Sequence, residues 1–195
     1  LDDINDSINS LVQLAMVGIG LMYLILGTQF KSYFQPIMIL TTVPLAFTGV
    51  ILGLLVTQNP LSLYTMYGVV ALIGIAVNAA IVLISAANDR FYSGMSVVHA
   101  TVFAARRRVV PILITTMTTI AGLFSLATGI GGKSLLWGPV ATAIVWGVGF
   151  SAFLTLFTIP TLYTWGMSRK VRKQRQREAK QDALKLRTEY QTKNT

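Results

Sequence analysis

Residues 68–85 read Gly-Val-Val-Ala-Leu-Ile-Gly-Ile-Ala-Val-Asn-Ala-Ala-Ile-Val-Leu-Ile-Ser, a run without one charged side chain. A helix crossing a bilayer needs about 20 mostly apolar residues, and this run widens on both sides to cover 63–87. Its small and polar members are not scattered. Ala71, Gly74, Asn78 and Ser85 fall on one helical face. Asn78 lies near mid-membrane, where an amide without partners is costly. It either makes a structural hydrogen bond to a neighbouring helix or belongs to a polar path, and the residues alone leave both open.

Four more segments share this character, at about 11–29, 36–57, 109–130 and 135–166. The first is short by itself but extends upstream through Ile4, Ile8 and Leu11 at helical spacing. The last is longer than a span requires, which predicts a tilted helix or an interfacial lead-in over 135–139. Composition agrees: 53% of residues are hydrophobic and 12% charged, with mean hydropathy +0.63, against about 25% charged in soluble domains. The expected fold is an all-α bundle of five transmembrane helices. Gly49 and Gly53 in the second span let a neighbouring helix come close, with simple packing as the plain reading.

The connections fix an orientation. Of 16 Lys and Arg, only Lys133 falls on one side; Lys31, Arg90, Arg106, Arg107, Arg108 and the whole basic tail fall on the other. Basic connections stay in the cytoplasm, so the chain is expected to start outside and end inside. This divides it into an outer-side lead-in helix (1–10), the bundle (11–168) and a basic cytoplasmic tail (169–195). The start, Leu1-Asp2-Asp3, is acidic and lacks the basic region of a signal peptide. Continuation upstream is therefore expected. The tail carries most of the net charge of +9. It reads as a frayed or disordered anchor drawn to anionic lipid at about 1 kcal/mol per basic residue near the surface, and nothing aromatic in it suggests nucleic acid. Residues 91–105 read as an amphipathic interfacial helix between the third and fourth spans. Val97, Val98, Val102 and Phe103 form its apolar side, and His99 sits at headgroup level.

The fourth span opens Arg108-Val109-Val110-Pro111, with the proline read as a first-turn residue. Thr115, Thr118 or Thr119, Gly122, Ser125 and Gly129 follow as a polar, small stripe. Arg108 and Thr115 project from the same face, about 10 Å apart along the axis. With a cation at its foot, the stripe looks like one wall of a proton or water path, although threonines can also satisfy themselves on their own helix. Arg106 and Arg107 read as plain positive-side anchors.

Several chemistries are excluded. With no cysteine and one histidine, neither a disulfide, a thiolate site nor an imidazole zinc site can form. No nucleophile–base pair or carboxylate pair supports an enzyme, and no cofactor is expected. The glycine-rich 129–134 stretch lacks the leading strand of a nucleotide loop.

In this order the segments resemble the resistance–nodulation–division (RND) transporters, specifically the last five helices of their second half, over about residues 1–168. Residues 74–83, Gly-Ile-Ala-Val-Asn-Ala-Ala-Ile-Val-Leu, resemble the family's tenth-helix pattern G-I-V-V-N-N-A-I-V-L. Residues 108–116, Arg-Val-Val-Pro-Ile-Leu-Ile-Thr-Thr, resemble R-L-R-P-I-L-M-T-T at the start of the eleventh. Gln29-Phe30-Lys31-Ser32 through Val43-Pro44-Leu45-Ala46 resembles the amphipathic connection and ninth helix. The resemblance implies a proton-driven antiporter of the bacterial inner membrane. It further implies a trimer with a periplasmic adaptor and an outer-membrane channel, exporting drugs, lipids or metals that are bound in outer domains. It carries the relay positions over to Asn78, Arg108 and Thr115, with Thr118, Thr119 and Ser85 as a secondary polar path. The relay carboxylates belong to the other half, either upstream or on a separate chain. Three positions depart from the pattern: Ala79 replaces a second Asn, Ser85 an acidic residue, and Val110 an arginine.

A physical limit holds beside the resemblance. Proton coupling needs a group that titrates inside the membrane. The spans hold no Asp, Glu, Lys or His, and Asn, Thr and Arg do not exchange protons at working pH. Two other readings remain: a degenerate, non-transporting subunit that scaffolds a larger complex, and a Sec-associated proton-driven export subunit, against which the lack of an acidic residue at 78–79 counts.

Overall fold

In a computed structural model the described residues are 2–130, 132 and 134–193, with side chains described over 4–130, 132 and 134–181. Lys133, the one basic residue expected on the outer side, lies outside them. The chain forms α1 (Asp2–Phe30), α2 (Phe34–Leu40), α3 (Thr42–Thr57), α4 (Leu63–Tyr92), α5 (Val97–Thr128) and α6 (Trp137–Lys193). Taking α2 and α3 as one broken span, five segments among the described residues are long and apolar enough to cross a membrane. The chain is a multi-pass membrane protein.

The helix ends follow from local chemistry. Ser62 caps α4 by accepting a hydrogen bond from the Thr65 N–H, and Ser96 caps α5 by accepting from the His99 N–H. Gly129, at φ 73°, closes α5 in the left-handed conformation that glycine adopts without steric cost. The second span breaks at Thr41 because of Pro44, whose ring strikes the carbonyl of the residue four earlier, Leu40, where α2 ends.

Three expectations change. No separate interfacial helix covers 91–105: α4 runs on to Tyr92, and after a short turn α5 runs unbroken from Val97 through the fourth span. Pro111 is therefore interior, not in a first turn, and it deprives the Arg107 carbonyl of its helical partner. The tail, read as a frayed helix or disorder, is helical and continues α6 to Lys193. Hydropathy marks where lipid ends, whereas caps and breakers mark where a helix ends, and the tail has no breaker.

Helix α6 is the axis of the bundle, packed against α3, α4 and α5, while α1 lies at the edge on α2 and α4. Close approach is built on glycine. A Cβ on Gly49 would lie 2.6 Å from the Phe150 Cβ and 2.8 Å from the Trp146 carbonyl oxygen; one on Gly53 would overlap the Trp146 side chain. From the other helix, Gly147 leaves room for Leu72. These contacts border a core of Ala46, Val50, Leu72, Ala76, Ala143 and Val148. A second core joins Ile39, Ala80, Ile84, Ile159 and Tyr163 nearer the end where the tail leaves.

Candidate functional site

Helices α4 and α5 run side by side and α6 backs the groove between them. About midway along lies a cavity of about 60 Å³, with Asn78 and Ala79 from α4, Thr115, Thr116 and Thr119 from α5, and Ser151 and Ala152 from α6 on its walls. That is room for a few waters. The structure thus brings together Asn78, Thr115 and Thr119 out of the six residues singled out by sequence.

Their hydrogen bonding is one-sided. The Thr115 hydroxyl donates within its own helix to the carbonyls of Pro111 at 3.1 Å and Ile112 at 3.0 Å. Thr118 and Thr119 each donate to the Thr115 carbonyl at 2.9 Å. With their protons spent on backbone, these hydroxyls offer the groove acceptor lone pairs only. The Asn78 amide is exposed and makes no hydrogen bond among the described residues. No neighbouring helix among the described residues satisfies it.

Ser151 was missed. It is 1% exposed, and its hydroxyl, like that of Thr155 one turn on, has no partner among the described residues. A buried hydroxyl without a partner costs about 1–3 kcal/mol, so its place on a water-sized cavity has a physical reason. The available signal was the i, i+4 pairing of Ser151 and Thr155 within the apolar stretch of α6.

Arg108 does not enter this cavity. It lines a second one of about 340 Å³ farther along the same groove, with Asp89, Arg90, Ser93, Phe103 and Arg107. Two guanidinium groups lie near the Phe103 ring there, Arg90 at 4.5 Å and Arg107 at 5.1 Å from its centroid. Ser85 and Thr118 are exposed and line neither cavity. Of the three departures from the family pattern, Ala79 alone touches the mid-groove cavity; Val110 is 61% exposed.

A family model described as AcrB/AcrD/AcrF matches residues 2–165. The chain belongs to that family of RND transporters. It is 36% identical, over 159 residues, to the multidrug resistance protein MdtC of Enterobacter sp. (strain 638), covering 81% of this chain and 16% of that one. With MdtC of Proteus mirabilis (strain HI4320) it shares 32% identity over 179 residues, 91% of this chain and 17% of the relative. The crystal structure of a heavy metal efflux pump superposes with a TM-score of 0.75 at 30% identity, covering 85% of this chain and 16% of the pump. The chain thus spans about one sixth of the length of the relatives it matches.

Proposed function

We propose that these five spans form part of the membrane domain of a proton-driven efflux transporter, supplying one wall of the proton path and no substrate site. The observation that carries this is the face containing Asn78 and Thr115. It is polar, lies at mid-span and is uncovered, and an amide facing lipid there is costly. Something must cover it. Because no group in the apolar spans releases a proton, the covering element is the one that brings the relay carboxylates, from the rest of the transporter. Asn78, Thr115, Thr119 and Ser151 then position water and accept hydrogen bonds from a protonated carboxyl. Arg108, farther along the groove, stabilises the carboxylate once the proton leaves.

The rest of the reading follows the family and the charge asymmetry. The protein sits in a bacterial inner membrane, entering from the outer side and ending in the cytoplasm, since the basic connections and tail share one side. It works as a trimer, with a periplasmic adaptor and an outer-membrane channel, and the exported drugs or metal ions are bound outside this segment. The degenerate-scaffold reading draws on Ala79 alone, the one departure at the cavity. The match of residues 2–165 to the AcrB/AcrD/AcrF family supports a transporter of that family rather than a Sec-associated export subunit.

The test is export by the native-length transporter in vesicles under an imposed acid gradient. Arg108→Ala should lower proton-linked export at least about tenfold, the loss of one transition-state charge contact, while the trimer assembles as before. Thr115→Ala should lower it less. Undiminished export in Arg108→Ala would remove that residue from the path.

A further inference from the structure

A third cavity, away from the proton path, has a construction of its own. It measures about 370 Å³ and opens where the α1–α2 turn meets α6 as that helix leaves its apolar stretch. Its floor is apolar, built from Phe34, Met38 and Gly166; its rim carries Arg169, Lys170 and Lys173. The floor depends on Gly166, since any Cβ there would overlap the Phe34 ring. The three cations form no ion pair among the described residues. Arg169 is nonetheless held in place, its guanidinium 3.7 Å from the centroid of the Trp165 ring.

Amphiphilic character, position at the membrane boundary and unpaired charge point to one occupant. We propose that this cavity binds an anionic phospholipid, its headgroup phosphate held by Arg169, Lys170 and Lys173 and the start of its acyl chains lying over Phe34 and Met38. Charge complementarity selects an anion, and the apolar floor selects an amphiphile over a free ion. The planar, stacked Arg169 is preorganised to form a two-pronged contact with phosphate oxygens, and the lysines add point charge. This is a defined site, unlike the diffuse attraction of a basic tail, because Arg172, Arg175 and Arg177 on the same helix lie off its rim.

That difference supplies the experiment. Native-length transporter in detergent is titrated with phosphatidylglycerol, phosphatidylcholine or inorganic phosphate, and bound lipid is counted by native mass spectrometry. The substituted side chains are all exposed, and size-exclusion chromatography checks that each variant assembles. Phosphatidylglycerol should be preferred over phosphatidylcholine and remain bound in millimolar phosphate. At about fivefold per cation, R169A/K170A/K173A should weaken it on the order of 100-fold. R172A/R175A/R177A, which removes equal charge off the rim, should stay within about threefold of the unsubstituted protein. Trp165→Ala keeps every charge but frees Arg169, and should weaken binding about fivefold. Equal loss in the two triple variants, displacement by inorganic phosphate, or no retained phospholipid would overturn the proposal.

Discussion

Asn88 is 8% exposed at the last turns of α4 and ties three elements together. Its amide and that of Gln35 on α2 exchange two hydrogen bonds, each 2.9 Å, and the Tyr163 hydroxyl on α6 donates to the same Asn88 oxygen at 2.7 Å. Removing the asparagine would leave two donors buried without an acceptor. Asn88→Ala should therefore cost about 2–4 kcal/mol, whereas Tyr163→Phe, which loses one donor and leaves the amide pair intact, should cost about 1 kcal/mol. Thermal unfolding of the purified transporter in detergent measures both, and equal costs would mean the network is not organised around Asn88. None of this was legible in the sequence. Gln35 and Asn88 both fall where the apolar windows end, so they read as connection residues, and pairing partners 53 positions apart have no local signature. The relay candidates fared differently, because Asn78 and Thr115 stand out as polar groups within apolar runs.

At the scale of the helix, the contact of α3 with α6 is set by what glycine omits. Gly53→Leu would drive a branched side chain into Trp146 and should destabilise the bundle by about 1–3 kcal/mol or more, read as a lower unfolding temperature. The small-residue spacing in the second span was visible in the sequence; its partner helix was not, since spacing names a face without naming what packs on it. Helix boundaries were the least legible feature. The Ser96 cap starts one helix that runs over 97–128 in spite of the interior Pro111, though its charge pattern suggests two. His99 belongs to that cap, 2.7 Å from the Ser96 hydroxyl through Nδ1.

Across the whole molecule, the exposed face of α4 sorts burial by this chain from burial by something else. Gly74, one turn from Asn78, has open space where a Cβ would project, unlike Gly53. If the rest of the transporter covers that face, Gly74→Leu should leave the folding of this chain unchanged, or improve it by up to about 1 kcal/mol through helix propensity. In the native-length protein the same change should lower export severalfold by wedging the two parts apart. Five spans and their order could be read from hydropathy, because lipid imposes it over long stretches. The groove could not, because it exists only once α4, α5 and α6 are side by side.

The central claim is that these spans shape a proton path but do not carry the proton. Its most direct measurement uses vesicles holding either the 195-residue chain alone, with helical content verified by circular dichroism, or the native-length transporter. An acid gradient is imposed, and proton flux and export are followed together. The account predicts coupled flux with the native-length transporter and none above empty vesicles with the chain alone. Gradient-driven export by the chain alone would contradict it.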